Sequence, residues 1–115
     1  MFSKDEIKTP RIFRPYGNIN IAATTASTSA VALITETNAP TEQPHVRLTN
    51  TSTASAVQFN FASGTTGTAG SNSAYLMPGQ CEIFDRGVNT HLAVVSVTGT
   101  CQVSATTGLG VYSGS

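Results

Sequence analysis

Charge is the first thing this chain is short of. Only 10% of its 115 residues are Asp, Glu, Lys or Arg, against about 25% in an average soluble protein. Six cations balance six anions, for a formal net charge of zero. Four of the cations, Lys4, Lys8, Arg11 and Arg14, precede residue 17; beyond them only Arg47 and Arg86 stand against Glu36, Glu42, Glu82 and Asp85. A body so composed has no basic face for a phosphate backbone, so nucleic acid is not an expected partner. Neutrality also removes the repulsion that keeps copies apart, which suits a protein that works assembled.

Other absences narrow the chemistry. There is no Trp, so the strongest stacking platform for a sugar is lacking. No run approaches the roughly 20 apolar residues of a membrane span, and no membrane association is expected. The opening stretch MFSKDEIKTPRIFRPYGN is charged and broken by Pro10 and Pro15, without the apolar region of a secretory signal. With its initiator Met in place, the chain is expected to be made in a cytoplasm. Asn50-Thr51-Ser52 then matches a glycosylation acceptor without consequence.

The few reactive side chains do not assemble into a motif. His45, His91, Cys81 and Cys101 are placed at strand starts and on core faces, not at zinc-ligand spacing, so no metal is expected. Both cysteines are expected to face inward in strands close enough for a disulfide, but cytoplasmic synthesis favours buried thiols acting as small apolar residues. Glu82 and Asp85 would need to flank a bound sugar to act as a glycosidase pair; strand alternation sends Glu82 to solvent, and Asp85 opens a turn. No Gly-x-Ser-x-Gly elbow occurs. The glycine-rich stretch from Ser63 to Ser73 is followed by neither the Lys nor the helix of a phosphate-binding loop. No enzymatic activity, cofactor or small-molecule substrate is expected.

What is present is a succession of short alternating segments rich in Ser and Thr. Asn18 and Asn20 alternate with Ile19 and Ile21, predicting a strand over 18–23, with another near 29–36. HVRLTN puts Val46 and Leu48 inward; AVQFNFA does the same with Val57, Phe59 and Phe61. TSTAS between these two has the length of a hairpin connection. AYLMPGQ carries a Pro78-Gly79 turn. CEIFD is expected to place Cys81 and Ile83 on the core face and Glu82 and Phe84 on the other. HLAVVSV is apolar on both faces, so it is central or doubly covered. Thr98-Gly99 signals a compact hairpin to CQVSAT, with Cys101, Val103 and Ala105 on one side. The prediction is all-β: an antiparallel β-sandwich or jelly-roll-like barrel of six to eight short strands. Its core would hold Val46, Leu48, Val57, Phe59, Phe61, Leu76, Cys81, Ile83, Val95, Val97 and Val103. Residues 1–17 form an extended N-terminal arm and residues 18–115 the sandwich domain. The arm's prolines favour an extended path, and Phe2, Ile7, Ile12, Phe13 and Tyr16 give it apolar anchors. It would lie on its own domain, on a sister subunit or on a larger partner.

Residues 45–110 resemble small virion proteins of tailed bacteriophages. The resemblance is carried by Val46-Arg47-Leu48-Thr49-Asn50, Val57 to Phe61, Met77-Pro78-Gly79, Glu82-Ile83-Phe84, Thr90 to Val94, Gly99-Thr100 and Thr107-Gly108-Leu109-Gly110, in that order. It implies a capsid cement or decoration protein on the virion surface, bound to the major capsid protein. In that setting Phe2, Ile12, Phe13 and Tyr16 would insert into grooves of the shell, and Lys8, Arg11 and Arg14 would pair with acidic capsid residues. Leu92 and Val94 would form an interface between subunits of a homo-oligomer, a trimer at a lattice threefold. Two further classes share the expected fold: a fibre or tail module binding a receptor or carbohydrate, and a connector or tail structural subunit.

Overall fold

The computed structural model describes residues 12–26, 29–33, 43–70 and 72–111. Its strands are β1 (Arg14–Ala23), β2 (Val31–Ala32), β3 (His45–Asn50), β4 (Val57–Ala62), β5 (Ala74–Leu76), β6 (Cys81–Asp85), β7 (His91–Ser96) and β8 (Cys101–Leu109). They build two four-stranded sheets, ordered β1-β8-β3-β6 and β2-β7-β4-β5, and every pairing is antiparallel. The described residues contain no helix, hence none able to cross a membrane. The chain is thus the expected antiparallel β-sandwich.

Only β4 and β5 are consecutive strands within one sheet; every other connection passes from one sheet to the other. TSTAS and Thr98-Gly99 are therefore not hairpin turns. Each reverses the chain, Gly99 with a φ of 63°, but delivers it to the opposite sheet. Local turn chemistry specifies a reversal; which sheet receives the next strand depends on where its apolar face can be buried.

The core lies between the sheets. Ile21, Ala23, Val46, Leu48, Val103 and Ala105 come from one side, and Val57, Phe59, Leu76, Leu92 and Val94 from the other. Phe84 of β6 reaches across to Phe59 and Phe61 of β4, with ring centroids 5.0 and 6.4 Å away. Two strands present the face opposite to the one expected. In β6, Phe84 points inward, whereas Cys81 is exposed and Ile83 half-buried on the outside. A phenyl ring offers far more area to bury than a thiol, so Phe84 decides the parity and carries Glu82 with it; at the sheet edge that carboxylate stays exposed. In β7, Leu92 and Val94 fill the core, fully buried. Neither has surface left for a subunit interface. Val95 faces outward, and Val97, beyond the end of β7, is 46% exposed.

The outer face of β7 is covered all the same. Ala93 and Val95 pack with Ala30, Ala62 and Ala69 in a second, smaller cluster. Ala69 belongs to the glycine-rich connection between β4 and β5, which lies over its own sheet. Asn60 and Gln58 hold it there by donating to the carbonyls of Thr68 and Ser73. The doubly apolar pattern of β7 is thus answered within the chain.

The last residues of the expected arm are part of a sheet. Residues 14–17, assigned to the arm, belong to β1, which pairs with β8 from Arg14↔Leu109 to Ala23↔Cys101 with a bulge between Pro15 and Gly17. Phe13 is buried and lies over Gly108, with the Arg47 guanidinium 5.2 Å from its ring centroid. Gly108 is required there: a β-carbon would collide with the Arg14 carbonyl and the Phe13 ring. Gly110, at φ 123°, lies as tightly against the backbone of Ile12 and Phe13. The Gly108→Ala protein is expected to lose about 2–4 kcal/mol of stability, measured by denaturant unfolding; an unchanged midpoint would mean that Phe13 does not seat on β8.

Candidate functional site

Two groups of buried polar side chains lie at the ends of the sandwich. At the end where β3 finishes and β8 begins, Asn50 is completely buried. Its Nδ2 donates to the carbonyls of Ser55 (2.9 Å) and Leu76 (3.1 Å), and its Oδ1 accepts from the Ser52 amide at 3.0 Å. Its own backbone amide donates to the Gln80 carbonyl, and its carbonyl accepts from the Gly79 amide. Nδ2 is thereby spent, so the Asn50 sequon cannot be glycosylated in the folded chain.

Next to Asn50 lies a cluster of hydroxyls around a thiol. Ser55 Oγ donates to the Thr98 carbonyl at 2.6 Å and sits 3.2 Å from Ser96 Oγ. Ser96 Oγ lies 3.3 Å from Cys101 Sγ, and that thiol donates to the Ser55 carbonyl at 3.4 Å. Burial is the largest single influence on Cys101 and raises its pKa, but hydrogen bonds from Ser96, Ser55 and Ser52 together outweigh it, leaving the thiol below its usual range. Beside it opens a cleft of about 520 Å³ lined by Ala22, Thr51, Ser52, Thr53, Thr100, Cys101 and Gln102. A nucleophile there would need a base. His45 pairs with Gly108 at the far end of β8, roughly 20 Å away at strand rise. His91 starts β7 and lies similarly far from Ser96. Neither imidazole reaches the thiol.

At the opposite end, Arg86 is buried; its Nε donates to the Gln43 carbonyl at 2.7 Å and a terminal nitrogen to the Asn89 carbonyl at 2.8 Å. Burial lowers its pKa and neighbouring Asp85 opposes that shift; the guanidinium stays charged. Gln43 Oε1 accepts from Thr107 Oγ1, and His45 Nδ1 from the Gly110 amide. These groups fasten the turn after β6 and the end of β8 to the body.

The remaining candidate side chains are dispersed. Glu82 accepts from Gln80 Nε2 and Asp85 from the Gly87 amide; the two lie on opposite faces of β6 and cannot flank one sugar. Cys81 is free and exposed, 3.1 Å from Thr49 Oγ1, and β3 stands between its strand and that of Cys101. The cysteines are therefore not neighbours. Among the described residues no three His, Cys, Asp or Glu side chains gather as a metal site would require. Of the expected contact residues, Phe2, Lys8 and Arg11 lie outside the described residues. Ile12, Arg14 and Tyr16 are exposed at the start of β1, whereas Phe13 is buried against the body. The hydroxyl cluster around Cys101 escapes a reading of motifs; its only trace in the sequence is the spacing of Ser52, Ser55, Ser96 and Thr98 around two chain reversals. Comparison with protein families, with curated proteins and with solved structures finds no match to this chain.

Two expectations follow. Asn50→Asp puts a carboxylate against the Ser55 and Leu76 carbonyls and is expected to cost about 3 kcal/mol or more, while Asn72→Asp at an exposed site stays within about 0.5 kcal/mol; equal unfolding midpoints would contradict this. Thiol titration of the native protein should label one cysteine rapidly and the second only in denaturant. Cys81→Ser should abolish the rapid phase, and a rapid phase that survives would place Cys101 at the surface.

Proposed function

We propose that this chain is a structural virion protein of the capsid cement type, which binds the outer surface of the mature major capsid lattice and stabilises it against internal DNA pressure. The observation that carries this reading is the base of the N-terminal arm. Phe13 is seated on Gly108 and under Arg47, while Ile12, at 67% exposure, Tyr16, at 40%, and Arg14 face solvent beside it. A segment pinned at one residue and open at its neighbours is pre-organised for contact, which reduces the ordering cost of binding. The ordered motifs over residues 45–110 support the same reading. So does the strand order, which we read as that of a double-sheet jelly roll, an architecture used by capsid and lectin domains alike.

The mechanism needs no reaction. A protein that binds only the mature lattice stabilises it by mass action, by about 2.7 kcal/mol per site at a free concentration one hundred times Kd. In this reading Ile12 and Tyr16 enter apolar recesses on the shell, and Arg14 pairs with an acidic capsid group at the rim. Phe13 has the structural role of holding that surface in place. Synthesis is in the host cytoplasm and the site of action is the assembled head.

A second reading rests on the cleft beside Cys101. Its neutral hydroxyl and amide lining fits a receptor or carbohydrate module of a fibre or tail. It ranks lower because no aromatic side chain lines the cleft and Thr51 Oγ1 already donates to the Gln102 carbonyl.

Cosedimentation with mature and immature heads separates the two. The Ile12→Ser/Tyr16→Ser double variant and a deletion of residues 1–11 are expected to bind mature heads at least about tenfold more weakly, with the unfolding midpoint of the double variant unchanged. Undiminished retention, or equal binding to immature shells, would overturn the cement reading.

A further inference from the structure

A sandwich of two open sheets has four edge strands, and unprotected edges recruit other strands. Three of the four are guarded. β2 has two residues and β5 three, too short to template pairing. β6 has five, of which Glu82 and Asp85 are charged, and Pro78 shortly precedes it. β1 is different. Its ten residues pair with β8 on one side, and among the described residues no strand pairs with its other side. Arg14, Pro15 and the bulge before Gly17 protect its first part. From Asn18 to Ala23 it has no charge and no proline, and its register with β8 is unbroken.

This unguarded stretch is complementary to itself. Asn18, Asn20 and Ala22 lie on the outer face and are exposed; Ile19, Ile21 and Ala23 lie on the inner face, where Ile19 is only half-buried. The outer row is held in place from within, since Asn18 Oδ1 accepts from Ser104 Oγ at 2.9 Å and from Thr106 Oγ1 at 2.6 Å. A two-fold axis normal to the sheet keeps inner faces on one side and outer faces on the other. Residues opposite each other in an antiparallel pair share a face, so the axis has to pass through a residue and not between two.

We propose that two copies of this chain pair β1 to β1 about a two-fold axis through Asn20, joining their sheets into one of eight strands. In this register Asn20 faces the Asn20 of the second copy, Ile19 meets its Ile21, and Asn18 meets its Ala22. The amides and carbonyls of Asn18, Asn20 and Ala22, which alternate with those bonded to β8 and so point to the open side, find partners on the second copy, and the exposed flank of Ile19 is covered. The occupant is a second copy because both strands are then uncharged, equally long and identically patterned, and because isologous two-fold contacts are the commonest way for identical chains to close. The pair is two-fold, not the threefold that the family resemblance implies. It does not depend on capsid binding and can fail or stand without it.

The test is made on the full chain in solution. Light scattering after size exclusion is expected to give twice the 11.9 kDa of one chain. Asn20→Lys and Asn20→Glu each set like charges face to face across the axis and are expected to raise the dissociation constant about fivefold. An equimolar mixture of the two restores pairing by opposing unlike charges. Hydrogen exchange at high against low protein concentration should show added protection confined to 18–23. A monomeric or trimeric chain would overturn the proposal, and so would variants that pair as well as the parent, a mixture that restores nothing, or protection elsewhere or independent of concentration.

Discussion

Asn50 is the constraint on which the two-sheet arrangement turns. In a sandwich whose connections nearly all cross between sheets, no hairpin register aligns one sheet on the other. The alignment has to come from contacts at the ends, where backbone groups leave their ladders and need new partners. Asn50 ends β3 in one sheet and bonds to Ser55 before β4 and to Leu76 at the end of β5, both in the other. Through its own backbone it also holds Gly79 and Gln80, which lead back to β6. One buried amide thus ties two crossings together, and each bond would leave a bare buried group if lost.

The same logic explains the composition. A chain with little charge still has to satisfy every polar atom that its loops bury, and it does so with hydroxyls and amides. Among the described residues no buried side-chain nitrogen or oxygen lacks a partner. Ser55, Ser96, Thr98 and Cys101 close one end, and Gln43, Thr107 and Arg86 the other. The Cys101 thiol has a lowered pKa as a by-product of that packing. Its hydroxyls and thiol bond to one another and to backbone carbonyls, and so brace this end of the sandwich.

The division of the chain into strands is legible in its periodicity; the side each strand presents is less so. HVRLTN and AVQFNFA each alternate cleanly, and both face inward as their apolar residues dictate. CEIFD sets Cys81 and Ile83 against Phe84, and a period of two cannot choose between them; the pocket between Phe59 and Phe61 does. HLAVVSV has two apolar faces, so its pattern leaves the outer one open to a partner, and it is the glycine-rich loop that lies on it. The base of the arm reads as irregular because Pro15 argues against a strand; an edge position with a bulge accommodates it.

From the amino-acid order alone came the all-β class, the approximate positions of most strands, the inward face of the cleanly alternating strands and the neutrality of the body, because these depend on local periodicity and composition. Only the tertiary structure decided the sheet to which each strand belongs, the inward faces of β6 and β7, the separation of Cys81 from Cys101, the seating of Phe13 and the place of β1 at the end of its sheet among the described strands. Those depend on which surfaces meet across tens of residues, and no local pattern encodes a surface that its own segment does not carry.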